Sequence, residues 1–196
     1  MKLVFATHNL GKLRELQAAF APLDAHLIAQ STLGIESAPE DACTFIENAL
    51  IKARHAALES GLPALADDSG LLVDALNGAP GVHSARFAGL QATDEENRAA
   101  LLRALADTPA PRTARFCCVL VFIRHAHDPR PLISEGLWEG HILTEERGDQ
   151  GFGYDPLFGL GDGRSAAQLS LGEKQALSHR GQAVRGMLQL LARRDD

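Results

Sequence analysis

Asp67 and Asp68 stand side by side between two apolar runs, Pro63-Ala64-Leu65-Ala66 before them and Leu71-Leu72-Val73 after them. Two like charges about 4 Å apart repel by roughly 4 kcal/mol at an effective dielectric near 20. At the margin of a core, such a pair persists only with a cation, with hydrogen-bond donors or with a raised pKa. Pro63 to Ala66 reads as a short buried strand, Ser69-Gly70 as a bend, and Leu71 to Val73 as a second strand. The acids are therefore expected where the chain leaves the core. Two readings stand for them: a metal site built from oxygen ligands, or an acidic turn.

The flanking pattern is α/β. Lys2 to Ala6 and His26 to Ala29 read as strands, and Leu13, Leu16, Ala19 and Phe20 recur at helical spacing between them. Thr44-Phe45-Ile46-Glu47, Thr93-Asp94-Glu95-Glu96 and Ser170-Leu171-Gly172-Glu173 have the form of capping boxes that open helices. Phe45, Ala49, Ala53 and Ala56 line one face of the first of these, and the second runs to about Ala106. Arg115 to Arg124 and Leu132 to Leu143 read as long strands joined by a polar, proline-containing linker, His125 to Pro131. That linker suits a hairpin, so the sheet is expected to be mixed. Asn77 to Gly89 and Gly148 to Gly163 are glycine-rich loops, and Ser178 is a natural N-cap for a terminal amphipathic helix carrying Val184, Met187, Leu188 and Leu191.

A chain of 196 residues that is 45% hydrophobic suits one domain over 1–196, built as a single body or as two lobes. The formal net charge of −6 speaks against a general nucleic-acid binder, which carries a basic face. A small polyanion can still be held by a local cationic pocket. No apolar run approaches the roughly 20 residues that span a bilayer, and Met1 to Thr7 is too short an apolar stretch for a signal peptide. Cys117 and Cys118 are adjacent and Cys43 is remote, which is neither a disulfide framework nor a zinc pattern. A cytoplasmic protein is expected.

Four constellations bear chemistry. Thr7-His8-Asn9-Leu10-Gly11-Lys12 follows the first strand and opens the first helix, where backbone N–H groups, a hydroxyl, an amide and one ammonium make an anion site. The competing reading is an ordinary helix cap with a solvated lysine. The second is the acid pair, to which Glu40 adds a carboxylate if its loop folds over; otherwise Glu40 is a surface acid. The third is Gly151-Phe152-Gly153-Tyr154-Asp155-Pro156, two aromatics and an acid on a glycine-hinged loop, fit either to stack on a base or to make a tight turn around buried rings. The fourth is Lys174 with Ser178-His179-Arg180, donors at the positive end of a helix or basic residues on its surface. The cluster His125-x-His127-Asp128 reads as solvated loop residues, and Cys117 and Cys118 as strand residues of the core.

Together these describe a pocket for a nucleoside triphosphate. Thr7-x-Asn9-x-x-Lys12, Ala66-Asp67-Asp68-Ser69-Gly70, Phe152-Gly153-Tyr154-Asp155-Pro156 and Ser178-His179-Arg180, in that order, resemble the inosine/xanthosine triphosphate pyrophosphatase family, which acts on noncanonical purine nucleotides. The resemblance spans nearly the whole chain. It implies an α/β fold with an elongated mixed sheet and flanking helices forming two lobes around a central cleft. It also implies a homodimer, dependence on Mg2+, and hydrolysis of ITP, dITP or XTP to the monophosphate and pyrophosphate. It assigns phosphate binding to Thr7, His8, Asn9, Leu10, Gly11 and Lys12, and metal ligation and proton acceptance to Asp68. Ser69 would touch substrate, Glu40 would be a second metal ligand, and Phe152, Gly153, Tyr154, Asp155, Lys174, His179 and Arg180 would surround the nucleotide. The chain departs from the family at Gln168, where an acid is common.

Base choice has a physical logic. Donors from His179 or Arg180 satisfy the oxygen at C6 of hypoxanthine or xanthine and oppose adenine's amino group, while Asp155 can accept from N1–H. Buried groups left unpaired by the wrong base discriminate strongly. Two rivals remain at this level: a pyrophosphatase for modified pyrimidine nucleotides, and a nucleotide sensor without catalysis.

Overall fold

The computed structural model describes residues 1–193, with the side chains of residues 10, 11 and 15 outside the description. In chain order the elements are β1 (Lys2–Phe5), α1 (Leu10–Phe20), β2 (His26–Ala29), α2 (Phe45–Ser60), β3 (Ala64–Val73) and α3 (Asp94–Ala104). They continue with β4 (Thr113–Ile123), β5 (Leu132–Ile142), β6 (Phe158–Gly159), α4 (Leu171–Leu177) and α5 (His179–Ala192). The strands form one six-stranded sheet in the order β2-β1-β3-β4-β5-β6. β1 runs parallel to β2 and to β3, whereas β5 and β6 are antiparallel, so the sheet is mixed. β4 and β5 are neighbours joined by residues 124–131. That connection is shorter than the roughly dozen residues a parallel crossover needs, as a hairpin requires.

The expected break at Ser69-Gly70 is absent. One strand of 10 residues runs through both acids, with Asp67 3% and Asp68 8% exposed. Successive residues of a strand point to opposite faces, so continuity of β3 itself separates the two carboxylates. Charge in this segment does not mark the end of the strand.

The chain divides into two compact units. The first comprises residues 1–68, 118–135 and 182–196, and its core gathers Leu3, Phe5, Leu16, Phe20, Leu65, Leu120 and Met187. The second comprises residues 69–117 and 136–181, with a core of Leu71, Leu101, Phe116, Trp138, Leu157 and Phe158 among others.

In the first unit the chain steps from β1 to β2 in one direction and from β2 to β3 in the other. Right-handed crossovers therefore put α1 and α2 on opposite faces of the sheet. The α2 start is capped as its residues predict: Thr44 Oγ1 accepts from the Glu47 N–H at 3.2 Å, and Glu47 Oε2 accepts from the Thr44 N–H at 3.1 Å. Ala49, Ala53 and Ala56 are fully buried, which lets the helix axis approach the strands closely.

The hairpin linker departs from its solvated reading at one residue. Asp128 is fully buried, accepting from the Arg124 side chain and from the Arg124 and Arg130 N–H groups, while His125 and His127 stay exposed. The Arg124 guanidinium, aided by those N–H groups, holds the Asp128 carboxyl far below the usual carboxylate range. The residue is a structural staple of the linker. Cys117 and Cys118 are buried, as expected for strand residues. Among the described residues, no helix is long and apolar enough to cross a membrane.

Candidate active site

In the first unit, β1 ends at a self-capped loop. The Asn9 N–H donates to Thr7 Oγ1 at 3.1 Å, and the Lys12 N–H donates to Asn9 Oδ1 at 3.1 Å. Asn9 thus caps α1, Thr7 is buried, and His8 and Asn9 are exposed. Leu10 and Gly11, also expected to bind phosphate, have side chains outside the described residues. The cap reading and the anion reading coexist, because the backbone N–H groups of a capped helix start remain oriented toward an incoming anion.

Lys12 is not solvated. Its Nζ donates to Asp67 Oδ2 at 2.9 Å and to Oδ1 at 3.3 Å. On α2, Lys52 Nζ donates to Asp68 Oδ1 at 3.0 Å and to Glu40 Oε2 at 3.1 Å. Each acid of the pair therefore has its own lysine, on its own face of β3. Glu40 folds in and is not merely a surface acid.

The electrostatics follow from this arrangement. Burial disfavours the charge on Lys52, but Asp68, Asp67 and Glu40 together outweigh it and raise the Lys52 pKa above its ordinary value. Burial dominates at Asp68 and raises its pKa; Lys52 opposes that shift, Glu40 adds to it, and the Asn48 amide weighs least among them. Asp68 Oδ2 is buried and accepts no hydrogen bond of good geometry. A buried carboxylate oxygen in that state has acceptor capacity left over.

Lys52 was not foreseen. The sign was present in the spacing: Asn48 and Lys52 lie one turn apart at the margin of the alanine stripe of α2, too close to a buried face for residues that merely solvate a helix.

The donor set suits a hard divalent cation. Asp68 and Glu40 converge on one ammonium, so a single cationic position is bracketed by two carboxylates. Among the described residues, no group of three or more His, Cys, Asp or Glu side chains is placed to hold a metal by itself. Mg2+ typically takes one or two carboxylates and completes its shell with waters and substrate phosphates, which fits this pair.

In the second unit, Phe152, Asp155, Lys174 and Arg180 come together. Phe152 is 55% exposed; Lys174 Nζ lies 4.8 Å and the Arg180 guanidinium carbon 5.7 Å from its ring centroid. Asp155 is buried, and its Oδ2 accepts from Lys174 Nζ at 2.5 Å and from the Phe152 N–H at 2.8 Å. Its carboxylate is thus turned to its own loop and to Lys174, where an acceptor for a base N1–H was expected. A Cβ at Gly151 would fall on that carboxylate, and Gly151 also has φ +85°, so only glycine fits there. Tyr154 is buried, with its hydroxyl donating to the Ser84 carbonyl at 2.9 Å. It is therefore a wedge inside the unit and its ring is not a stacking surface. Burial, with Asp94 nearby, raises the Tyr154 pKa and keeps the phenol protonated.

Ser178 caps α5 as expected, its Oγ accepting from the Gly181 N–H at 3.2 Å. His179 is buried at 8% exposure and stacks on Phe116, with centroids 4.8 Å apart and planes 17° apart, and at 6.4 Å on Trp138. Neither Phe116 nor Trp138 carried any sign of this in the chain beyond its place in an apolar strand. Glu173, the residue before Lys174, is pulled down to about 2 by Arg164 and then by the Ser170 hydroxyl and N–H, which anchors the first turn of α4. Gln168 caps the turn that begins at Ser165, accepting from the Ser165 N–H at 2.9 Å. Ser69, half-buried, is the first residue of this unit.

Comparison with known proteins identifies the family. The Ham1 family model matches residues 3–190. A Shigella flexneri protein named dITP/XTP pyrophosphatase is 54% identical over 192 residues, 97% of this chain and 98% of its own length. A Yersinia pestis protein of the same name is 55% identical over 192 residues, with the same coverage of 97% and 98%. The solved structure of a HAM1 protein from Coxiella burnetii superposes with a TM-score of 0.94 at 47% identity, covering 98% of this chain and 99% of that one. Matched from its first strand into its last helix, and nearly end to end by each of these relatives, the chain belongs to the Ham1 family.

Proposed function

We propose that this protein hydrolyses noncanonical purine nucleoside triphosphates, dITP, ITP and XTP, to the monophosphate and pyrophosphate, and so removes them from the nucleotide pool. The observation that carries the reading is Asp68, in the middle of β3: a carboxylate with a raised pKa and a buried oxygen that accepts no hydrogen bond of good geometry, set against Lys52 of α2. A structural acid would have its hydrogen bonds filled; a proton acceptor needs an open one. The relatives' names supply the substrate class.

In this reading the Thr7–Lys12 loop and Lys52 receive the triphosphate through N–H groups and ammonium charge. Asp68 orients a water and takes its proton as the water oxygen bonds to the α-phosphorus. The bond from the α-phosphorus to its bridging oxygen breaks, and pyrophosphate leaves. Asp68 and Glu40 would hold Mg2+, whose chemistry is to neutralise charge on the phosphates. In the second unit, Phe152 offers a ring face to the base, and His179 and Arg180 offer donors to its C6 oxygen. Asp155 holds Lys174 beside the ring. A cytoplasmic homodimer belongs to the same proposal.

Pyrophosphate release, measured on dITP, XTP, GTP and ATP with Mg2+, tests it. We expect dITP and XTP to exceed ATP by roughly a hundredfold or more in kcat/KM, since adenine carries no C6 oxygen and leaves the donors of His179 and Arg180 unpaired. Asp68→Asn is expected to lower kcat by about 10²–10⁴-fold. Equal rates on all four nucleotides would defeat the substrate assignment, and a fully active Asp68→Asn protein would defeat the role of Asp68.

A further inference from the structure

Asp94 and Arg98 sit one turn apart at the start of α3, and both hydrogen-bond to the backbone of one residue of the Phe152–Asp155 loop, Gly153. Asp94 Oδ2 accepts from the Gly153 N–H at 2.7 Å, and Arg98 Nη1 donates to the Gly153 carbonyl at 3.0 Å. Arg98 Nε donates in turn to Glu146 Oε1 at 2.8 Å, fixing the guanidinium from its other edge. The Arg98 side chain is only 15% exposed. The cap of α3 does not need Asp94, because Thr93 and Glu96 already complete a reciprocal capping box. An acid free of capping duty and a cation one turn away therefore grip a loop distant in sequence.

That grip acts on an unusual object. Gly153 has φ +61°, a left-handed backbone held between an exposed ring at Phe152 and a buried one at Tyr154. An exposed aromatic on a glycine-flanked loop would ordinarily lose freedom when a ligand stacks on it, and that cost weakens binding. With the N–H and the carbonyl of Gly153, one from each of its two flanking peptide groups, bound to α3, the backbone next to Phe152 is ordered in advance. We infer that Asp94 and Arg98 are positioning residues for purine recognition: they preorganise the Phe152 loop, so that their loss falls on base affinity and selectivity. This rests on the reading of Phe152 as the base-stacking residue.

The experiment compares Asp94→Ala, Asp94→Asn, Arg98→Ala, Arg98→Lys and Phe152→Ala with the parent protein. Steady-state kinetics on dITP and dGTP are combined with product inhibition by pyrophosphate. The chain's single tryptophan, Trp138, stacked near His179, supplies an independent readout through its emission during titration with dIMP, which has a base but no leaving group. Asp94→Ala and Arg98→Ala are expected to raise KM for dITP about tenfold with kcat moved much less, as loss of a charge-assisted hydrogen bond predicts. They should weaken dIMP binding in parallel, lower the preference for dITP over dGTP, and leave pyrophosphate inhibition unchanged. Asp94→Asn, which keeps an acceptor oxygen, should recover most of the loss, and that recovery is what a general loosening of the fold would not show. Should an alanine variant fail to fold, Arg98→Lys carries the loss arm of the comparison with a smaller expected shift. Parental KM, selectivity and dIMP affinity in the folded alanine variants, or in Arg98→Lys where they do not fold, with Phe152→Ala impaired, would overturn the positioning role alone. Parental behaviour of Phe152→Ala would overturn both it and the base-stacking assignment.

Discussion

Asp68 binds its proton more tightly in the folded protein than an ordinary aspartate does, because burial outweighs the help it receives from Lys52. Between the unfolded and the folded pKa, the native state therefore holds more protons than the unfolded one, and stability falls as pH rises through that window. Ionised Asp68 is thus a cost to the fold, tolerated at a site where an acceptor is needed. Asp68→Asn is expected to match the parent in thermal stability below the carboxylate range and to exceed it near neutral pH, with the gap widening as pH rises. Unfolding midpoints at several pH values check this, and a gap that is flat or shrinks with pH would refute it. This single residue was legible from its setting in the chain. Lys52 was not, although it is the partner that opposes burial at Asp68: a lone lysine in a helix resembles a solvated charge until the helix is seen to turn that edge toward β3. Asp155 shows the complementary limit. Its motif identified the loop, but only the bonds to Lys174 and Phe152 show which partner the carboxylate serves.

Helices announced themselves through chemistry that is local. Thr44, Thr93 and Ser170 each cap through a glutamate three residues on, and all three boxes form as read. Strand extents were harder, because pairing partners lie far away in the chain. β3 was read as two pieces since charge interrupts its apolar pattern, and β6 consists of only Phe158–Gly159 with no pattern to read. Close approaches between elements were also hidden. Gly186 lies within α5, where alanine would ordinarily stabilise a helix by about 1 kcal/mol. Here a Cβ at that position would sit 2.3 Å from Ser134 Oγ of β5 and 3.5 Å from its Cβ. Gly186→Ala is therefore expected to cost about 1–3 kcal/mol through overpacking. Adding Ser134→Ala removes the clashing hydroxyl and should restore most of it. Chemical denaturation of the two single variants and the double variant measures this coupling, and additive effects would contradict the packing account.

At the scale of the molecule, the chain carries a formal charge of −6 and is proposed to recruit a substrate that is itself strongly anionic. Local charge must overcome that background. The mixed α/β class was legible in the alternation of strands and capped helices. The assembly of each unit from separated segments was not, because nothing in composition changes at residues 68, 117, 135 or 181. A chelator such as EDTA is expected to abolish pyrophosphate release and added Mg2+ to restore it, and undiminished release in excess chelator would remove metal dependence from the proposal. The pairing of Lys12 with Asp67, and of Lys52 with Asp68 and Glu40, has a further result. At rest each ammonium is engaged by at least one carboxylate, so a stray anion must break a lysine from its acid and a stray cation must evict an ammonium. Only a visitor bearing both signs at once can trade with both partners of each bond. The idle protein would then be a poor scavenger of loose phosphate or loose metal, and its cargo would be admitted as anion and cation together or not at all.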